Sequence, residues 1–139
     1  MEFGIIGQAG ALGLAAVGSA LGCGTAAQAA IGSWKKALMA NKAPSMLLAA
    51  FVGFPLSQTL YGFLVMLVVV PGKTGDMKQL ATGLFGGLAI GMSAWFQGKA
   101  AAGACDALTE TGKGTAQYVL ALGIVESIAI LVLAFLFLI

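Results

Sequence analysis

The chain has 139 residues, 60% of them hydrophobic and 9% charged, with a formal net charge of +2. A soluble domain carries about a quarter charged residues, so this composition describes an all-α integral membrane protein, and so weak a net charge gives no sign of nucleic acid as a partner. Histidine is absent, which removes the usual metal ligand and the usual acid/base group near neutral pH.

At about 20 residues per crossing, the length accommodates four transmembrane helices. The first apolar stretch covers 4–34. No basic region precedes it, and it is too long for a signal peptide, so it reads as mature structure. It carries Gly18, Gly22, Ala26 and Ala30 at a constant step of one helical turn. The connection 35–45 holds Lys35, Lys36 and Lys42. The second stretch, 46–70, is bulkier, with Phe51, Phe54, Phe63, Leu64 and Leu67. A second connection, 71–78, contains Pro71, Gly72, Lys73 and Lys78. The third stretch, 81–105, is thin again, with Gly83, Gly87 and Gly91 at the same step. Small residues spaced this way let helix backbones approach closely inside a membrane. A third connection carries Asp106, Glu110 and Lys113, and the last stretch, 116–139, ends in Phe135, Leu136 and Phe137. Cys23 and Cys105 show no CxxC spacing and read as small packing residues.

Short connections make sequential helices antiparallel, and the hairpin occurs twice. Gly13-Leu14-Ala15 recurs as Gly87-Leu88-Ala89 and Ser19-Ala20 as Ser93-Ala94, while Gln58 in the second stretch aligns with Glu126 in the fourth. The expected organisation is a first hairpin over 1–70 and a second over 71–139, in parallel repeat. Two thin and two thick helices form a wedge, and wedges pack into a ring with the thin helices on its inner wall. The lysines of the first and third connections place these loops in the cytoplasm and both termini outside.

Glu126 is the one charge in the last stretch. An ionisable group at membrane depth costs at least ~2.5–3.5 kcal/mol and by default marks an ion or substrate pathway. Counting at ~1.5 Å per residue from the cytoplasmic helix ends, Glu126 lies ~18 Å deep, Gln58 ~20 Å and Gln97 ~16 Å. Ser57 joins Gln58 at this level, and Tyr61 lies one turn away. These residues offer a carboxylate, two amide oxygens and a hydroxyl, a set suited to a small hard cation. Pro55 lacks an N–H and loosens carbonyls in the turn before it, so a backbone oxygen near Phe54 completes the shell. A glutamine in a membrane helix also serves as interhelical glue, and Tyr61 reads equally as a packing aromatic or as a donor to Glu126. Lys99, on another face than Gln97, is read as snorkelling toward the cytoplasm with no assigned role.

The duplicated hairpin, the run Pro55-Leu56-Ser57-Gln58-Thr59-Leu60-Tyr61-Gly62, the run Gln97-Gly98-Lys99-Ala100-Ala101-Ala102-Gly103 and Val125-Glu126 together resemble the proteolipid (K or c) subunit of V/A-type rotary ATPases. The likeness is closest to the bacterial sodium-pumping branch and covers essentially the whole chain. It implies a membrane rotor ring of identical subunits that carries Na⁺ on one glutamate per subunit and has no catalytic residues of its own. ATP hydrolysis would belong to other subunits. The implied sodium ligands are Glu126, Gln58, Gln97, Ser57 and the backbone carbonyl of Phe54, with Tyr61 hydrogen-bonding the glutamate. Ser57 stands where threonine is usual and Phe54 where leucine is usual; the first keeps the hydroxyl and the second contributes only backbone. Implied partners are a stator membrane subunit with an arginine, a central-stalk subunit on the cytoplasmic loops, and lipid. The implied location is a bacterial plasma membrane. Two other readings stand beside this one: a ring of the same family carrying H⁺, and a small four-helix cation antiporter.

Overall fold

The computed structural model describes residues 2–139. Its elements are α1 (Phe3–Met39), α2 (Leu47–Gly53), a 3₁₀ turn (Phe54–Leu56), α3 (Ser57–Leu64), a π-helical turn (Val65–Val69), α4 (Asp76–Thr111) and α5 (Thr115–Leu136), with no strand among the described residues. The segment from α2 to the π turn is one rod, Leu47–Val69.

By length and apolarity three rods qualify to cross a membrane: Phe3–Met39, Leu47–Val69 and Thr115–Leu136. The sequence predicts four such rods. α4 is long enough and has no charged residue from Gln79 to Gly98, but Gly83, Gly86, Gly87, Gly91, Thr82, Ser93 and Gln97 stand where Leu or Ile would raise its apolarity. Thr82, all four glycines, Ser93 and Gln97 are buried against the other helices. Such a helix presents little of its polar character to lipid.

α1 and α4 also run past the apolar stretches that define them in sequence. The 37 residues of α1 span ~55 Å at ~1.5 Å each, against a hydrocarbon core of ~30 Å. The overhanging ends are polar and lie together: Lys36 Nζ is 3.5 Å from Asp106 and 3.9 Å from Glu110. α1 stops in a Schellman turn, with Asn41 at φ 52°, Lys42 N–H donating to Ala37 O at 2.9 Å and Asn41 N–H to Leu38 O at 3.0 Å. Gly112, at φ 65°, ends α4 in the same left-handed region, where a side chain is penalised.

α1 and α4 pack backbone to backbone. A Cβ on Gly18 would fall inside the carbonyl of Gly91, one on Gly83 inside that of Gly7, and one on Gly98 inside the backbone of Gly22. These contacts, spread along the pair, exclude side chains, and dispersion between the two backbones replaces side-chain packing.

Two apolar clusters fill the remaining interior. One joins Ala26, Ala30, Leu48, Phe51, Ala101, Cys105, Leu108 and Leu122. The other joins Ala11, Ala15, Val65, Val69, Val70, Ile90 and Ala129. Along every rod, the residues between these clusters include polar ones: Ser19, then Ser57 and Gln58, then Ser93 and Gln97, then Glu126. The fold therefore sandwiches one polar layer between two apolar ones.

Candidate cation site

The geometry of that layer begins at Pro55. A proline in a helix removes one backbone donor and its ring clashes with the carbonyl a turn earlier. The rod responds with the 3₁₀ turn Phe54–Leu56, and the Phe54 carbonyl accepts the backbone N–H of Ser57. The Ser57 hydroxyl then lies 3.1 Å from the same carbonyl oxygen. A second irregularity follows one turn beyond the site, where Val70 N–H reaches back to Val65 O at 2.9 Å in the π turn. Such turns recur at functional sites because they re-aim side chains without ending the helix.

Glu126 is half-buried on α5. Its Oε1 accepts from Ser57 Oγ at 2.5 Å and from the Tyr61 hydroxyl at 2.9 Å. Its Oε2 faces Gln97 Nε2 at 3.4 Å. Ser57 Oγ is also 3.1 Å from Gln58 Oε1. A serine hydroxyl has a single proton and serves one acceptor at a time. The shortest of its three contacts is the carboxylate, which leaves the Phe54 carbonyl and Gln58 Oε1 converging on one point with an unused lone pair each. Oxygens gathered this way around one centre attract a cation.

Gln58 and Gln97 are both fully buried. Gln58 Nε2 donates to Gln97 Oε1 at 2.8 Å, and Gln97 Nε2 donates to the Leu122 carbonyl at 2.9 Å. The Leu122 carbonyl thereby fixes which way the Gln97 amide points. Its nitrogen faces Glu126, and its oxygen keeps one lone pair beyond the bond from Gln58. All the residues singled out in the sequence, Phe54, Ser57, Gln58, Tyr61, Gln97 and Glu126, thus meet in one cluster.

Two supports of the cluster leave almost no mark in the sequence. Leu122 contributes only its carbonyl, and Ser93 Oγ donates to Val125 O at 2.9 Å, tying α4 to the residue before the glutamate. Each lies one helical turn before a polar side chain of the cluster, Leu122 before Glu126 and Ser93 before Gln97. For Leu122 that spacing is the only signal, whereas Ser93 also stands in the internal repeat as the counterpart of Ser19.

Lys99 lies against aromatic rings of its own helix. Its Nζ lies 4.4 Å from the centroid of the Trp95 ring and 5.0 Å from that of Phe96. Helical side chains lean toward the N-terminus of their own helix, and Trp95 and Phe96 lie one turn in that direction. The ammonium accordingly rests on aromatic faces and takes no part in the cluster around Glu126.

No curated protein matches the chain. Residues 80–139, which hold α5 and nearly all of α4 with Gln97 and Glu126, match the model of the ATP synthase C-subunit family, and this second half of the chain is therefore similar to that family.

Proposed function

We propose that the chain is the rotor-ring subunit of a V-type ATPase and carries Na⁺ across the membrane on Glu126, coupled to ATP hydrolysis in other subunits. The observation that carries the sodium reading is the surplus of oxygens. Glu126 Oε1, Gln58 Oε1 and the Phe54 carbonyl all lie within hydrogen-bonding distance of Ser57 Oγ, which has only one proton to share. A bound Na⁺ would satisfy all of them, with Gln97 Oε1 adding its free lone pair. The ion neutralises the carboxylate, which lowers the cost of moving it past lipid. Tyr61 keeps the carboxylate in its charged, ion-accepting form by donating to Oε1. The likeness of 80–139 to the ATP synthase C-subunit family supports the rotor part of this reading.

In the proposed cycle Glu126 takes an ion from one half-channel of a stator subunit. After rotation among identical copies, a stator arginine displaces the ion into a second half-channel. A central-stalk subunit on the connections at 35–45 and 106–114 delivers the torque. One carboxylate per four helices leaves more ATP energy for each ion, and moving one charge against 100 mV costs ~2.3 kcal/mol. That favours pumping against a steep gradient.

An H⁺-carrying ring is the second reading. A proton needs only the carboxylate and one hydrogen-bond partner, which Tyr61 or Ser57 supplies, and on this reading Gln58 and Gln97 are surplus ligands. Carbodiimide labelling separates the two. Protection of Glu126 by millimolar Na⁺ at constant pH is expected for sodium, and labelling that responds to pH alone sinks the sodium reading.

A further inference from the structure

At the end of the bundle opposite the Lys36–Asp106 ion pair lies a cavity of about 380 Å³, with Lys73, Lys78, Ala81, Thr82, Phe85 and Leu136 in its wall. It is distant from the Glu126 cluster: Lys78 lies in the first turn of α4, whereas Gln97 lies ~28 Å further along it at ~1.5 Å per residue. The lining is ordered by depth. Lys73, which is half-buried, and the exposed Lys78 form the rim. Phe85 lies ~10 Å below Lys78 by the same rise and is 70% exposed, so its ring is open to a ligand. Neither lysine pairs with an acid among the described residues, and nearby Asp76 bonds with neither. Thr82 is the one other polar side chain in the wall.

We infer that this cavity holds one anionic phospholipid, its phosphate between Lys73 and Lys78 and an acyl chain against Ala81, Phe85 and Leu136. Charge and apolarity argue jointly. Basic residues at the membrane surface attract anionic headgroups, while the floor is apolar and sits at acyl depth. A soluble phosphate would use only the rim. A zwitterionic lipid offers the same phosphate, but the two lysines repel its choline cation, so it holds the rim less well. The volume falls in the range of small-ligand sites, enough to enclose the glycerophosphate and part of one acyl chain while the rest of the lipid lies outside.

The test is a lipid titration of the delipidated, purified assembly by native mass spectrometry. The probes are phosphatidylglycerol and phosphatidylcholine of equal chain length, with inorganic phosphate as competitor. The expected result is phosphatidylglycerol binding roughly tenfold or more tighter than phosphatidylcholine, the order that two basic side chains supply at an anionic surface. In Lys73→Gln/Lys78→Gln that preference disappears, and inorganic phosphate displaces nothing in either protein. Phe85→Ala, which shortens the floor without touching charge, weakens both lipids together. Equal affinity for the two lipids overturns the inference, as does an unchanged preference in the double lysine variant. Displacement by phosphate overturns it in favour of a soluble-anion site. Binding of neither lipid overturns it as well.

Discussion

Removing the Ser57 hydroxyl tests the oxygen cluster at its centre. Ser57→Ala deletes the donor 2.5 Å from Glu126 Oε1 and the atom on which the Phe54 carbonyl and Gln58 Oε1 converge. A hydrogen bond to a charged group contributes about 1.5–3 kcal/mol net. At a tenfold change per ~1.4 kcal/mol, the loss corresponds to roughly a 10- to 150-fold weaker hold on whatever Glu126 binds. The side chain is small and half-buried, so the cavity left behind is minor and the fold survives. The readout is the Na⁺ concentration that half-protects Glu126 from carbodiimide. The midpoint should rise by that factor in Ser57→Ala and remain close to the starting protein in Ser57→Thr, which keeps the hydroxyl. An unchanged midpoint in Ser57→Ala would refute the reasoning, because it would mean that the hydroxyl is packing rather than a ligand.

Two further expectations concern the scaffold. Gly98→Ala puts a Cβ into the backbone of Gly22, whereas Gly103→Ala meets nothing within 4 Å. Overpacking costs about 1–3 kcal/mol or more, so the first should lower the melting temperature of the purified protein clearly. The second should leave it unchanged or raise it, alanine being the better helix former; equal behaviour of the two would argue against the backbone contact of α1 with α4. Lys36→Ala breaks the ion pairs to Asp106 and Glu110, but all three side chains are more than 60% exposed. Exposed pairs contribute about 0–1 kcal/mol, so thermal stability should barely change, and a large loss would show that the overhanging helix ends carry more of the fold than their exposure implies.

What can be read from the sequence follows from the geometry of membrane helices. They are long, nearly straight and confined to a fixed thickness, so residue counting alone puts Glu126, Gln58 and Gln97 at one level. The four-residue glycine step likewise announces which helices approach closely, and the structure places Gly18 against Gly91 accordingly. Counting says nothing of what happens beyond the hydrocarbon. α1 continues to Met39 and α4 to Thr111, and their polar ends lie side by side beyond the apolar stretches. Apolarity is also a poor guide to α4, whose glycines and buried polar side chains make sense only once its neighbours are in place. The direction of the Gln97 amide is out of reach for a different reason: a backbone carbonyl, Leu122 O, sets it, and every residue has one. For Lys99, the lean of helical side chains toward the helix N-terminus accounts for its contact with Trp95 and Phe96.

The central claim is that a sodium ion binds among these oxygens, beside the Ser57 hydroxyl. A high-resolution density map of the purified assembly at saturating Na⁺ addresses it most directly. The expected result is one peak per chain bounded by Glu126 Oε1, Ser57 Oγ, Gln58 Oε1 and the Phe54 carbonyl, absent when Na⁺ is removed. A map at saturating Na⁺ with no such peak, and with the Ser57 hydroxyl still closed onto Glu126, would contradict it.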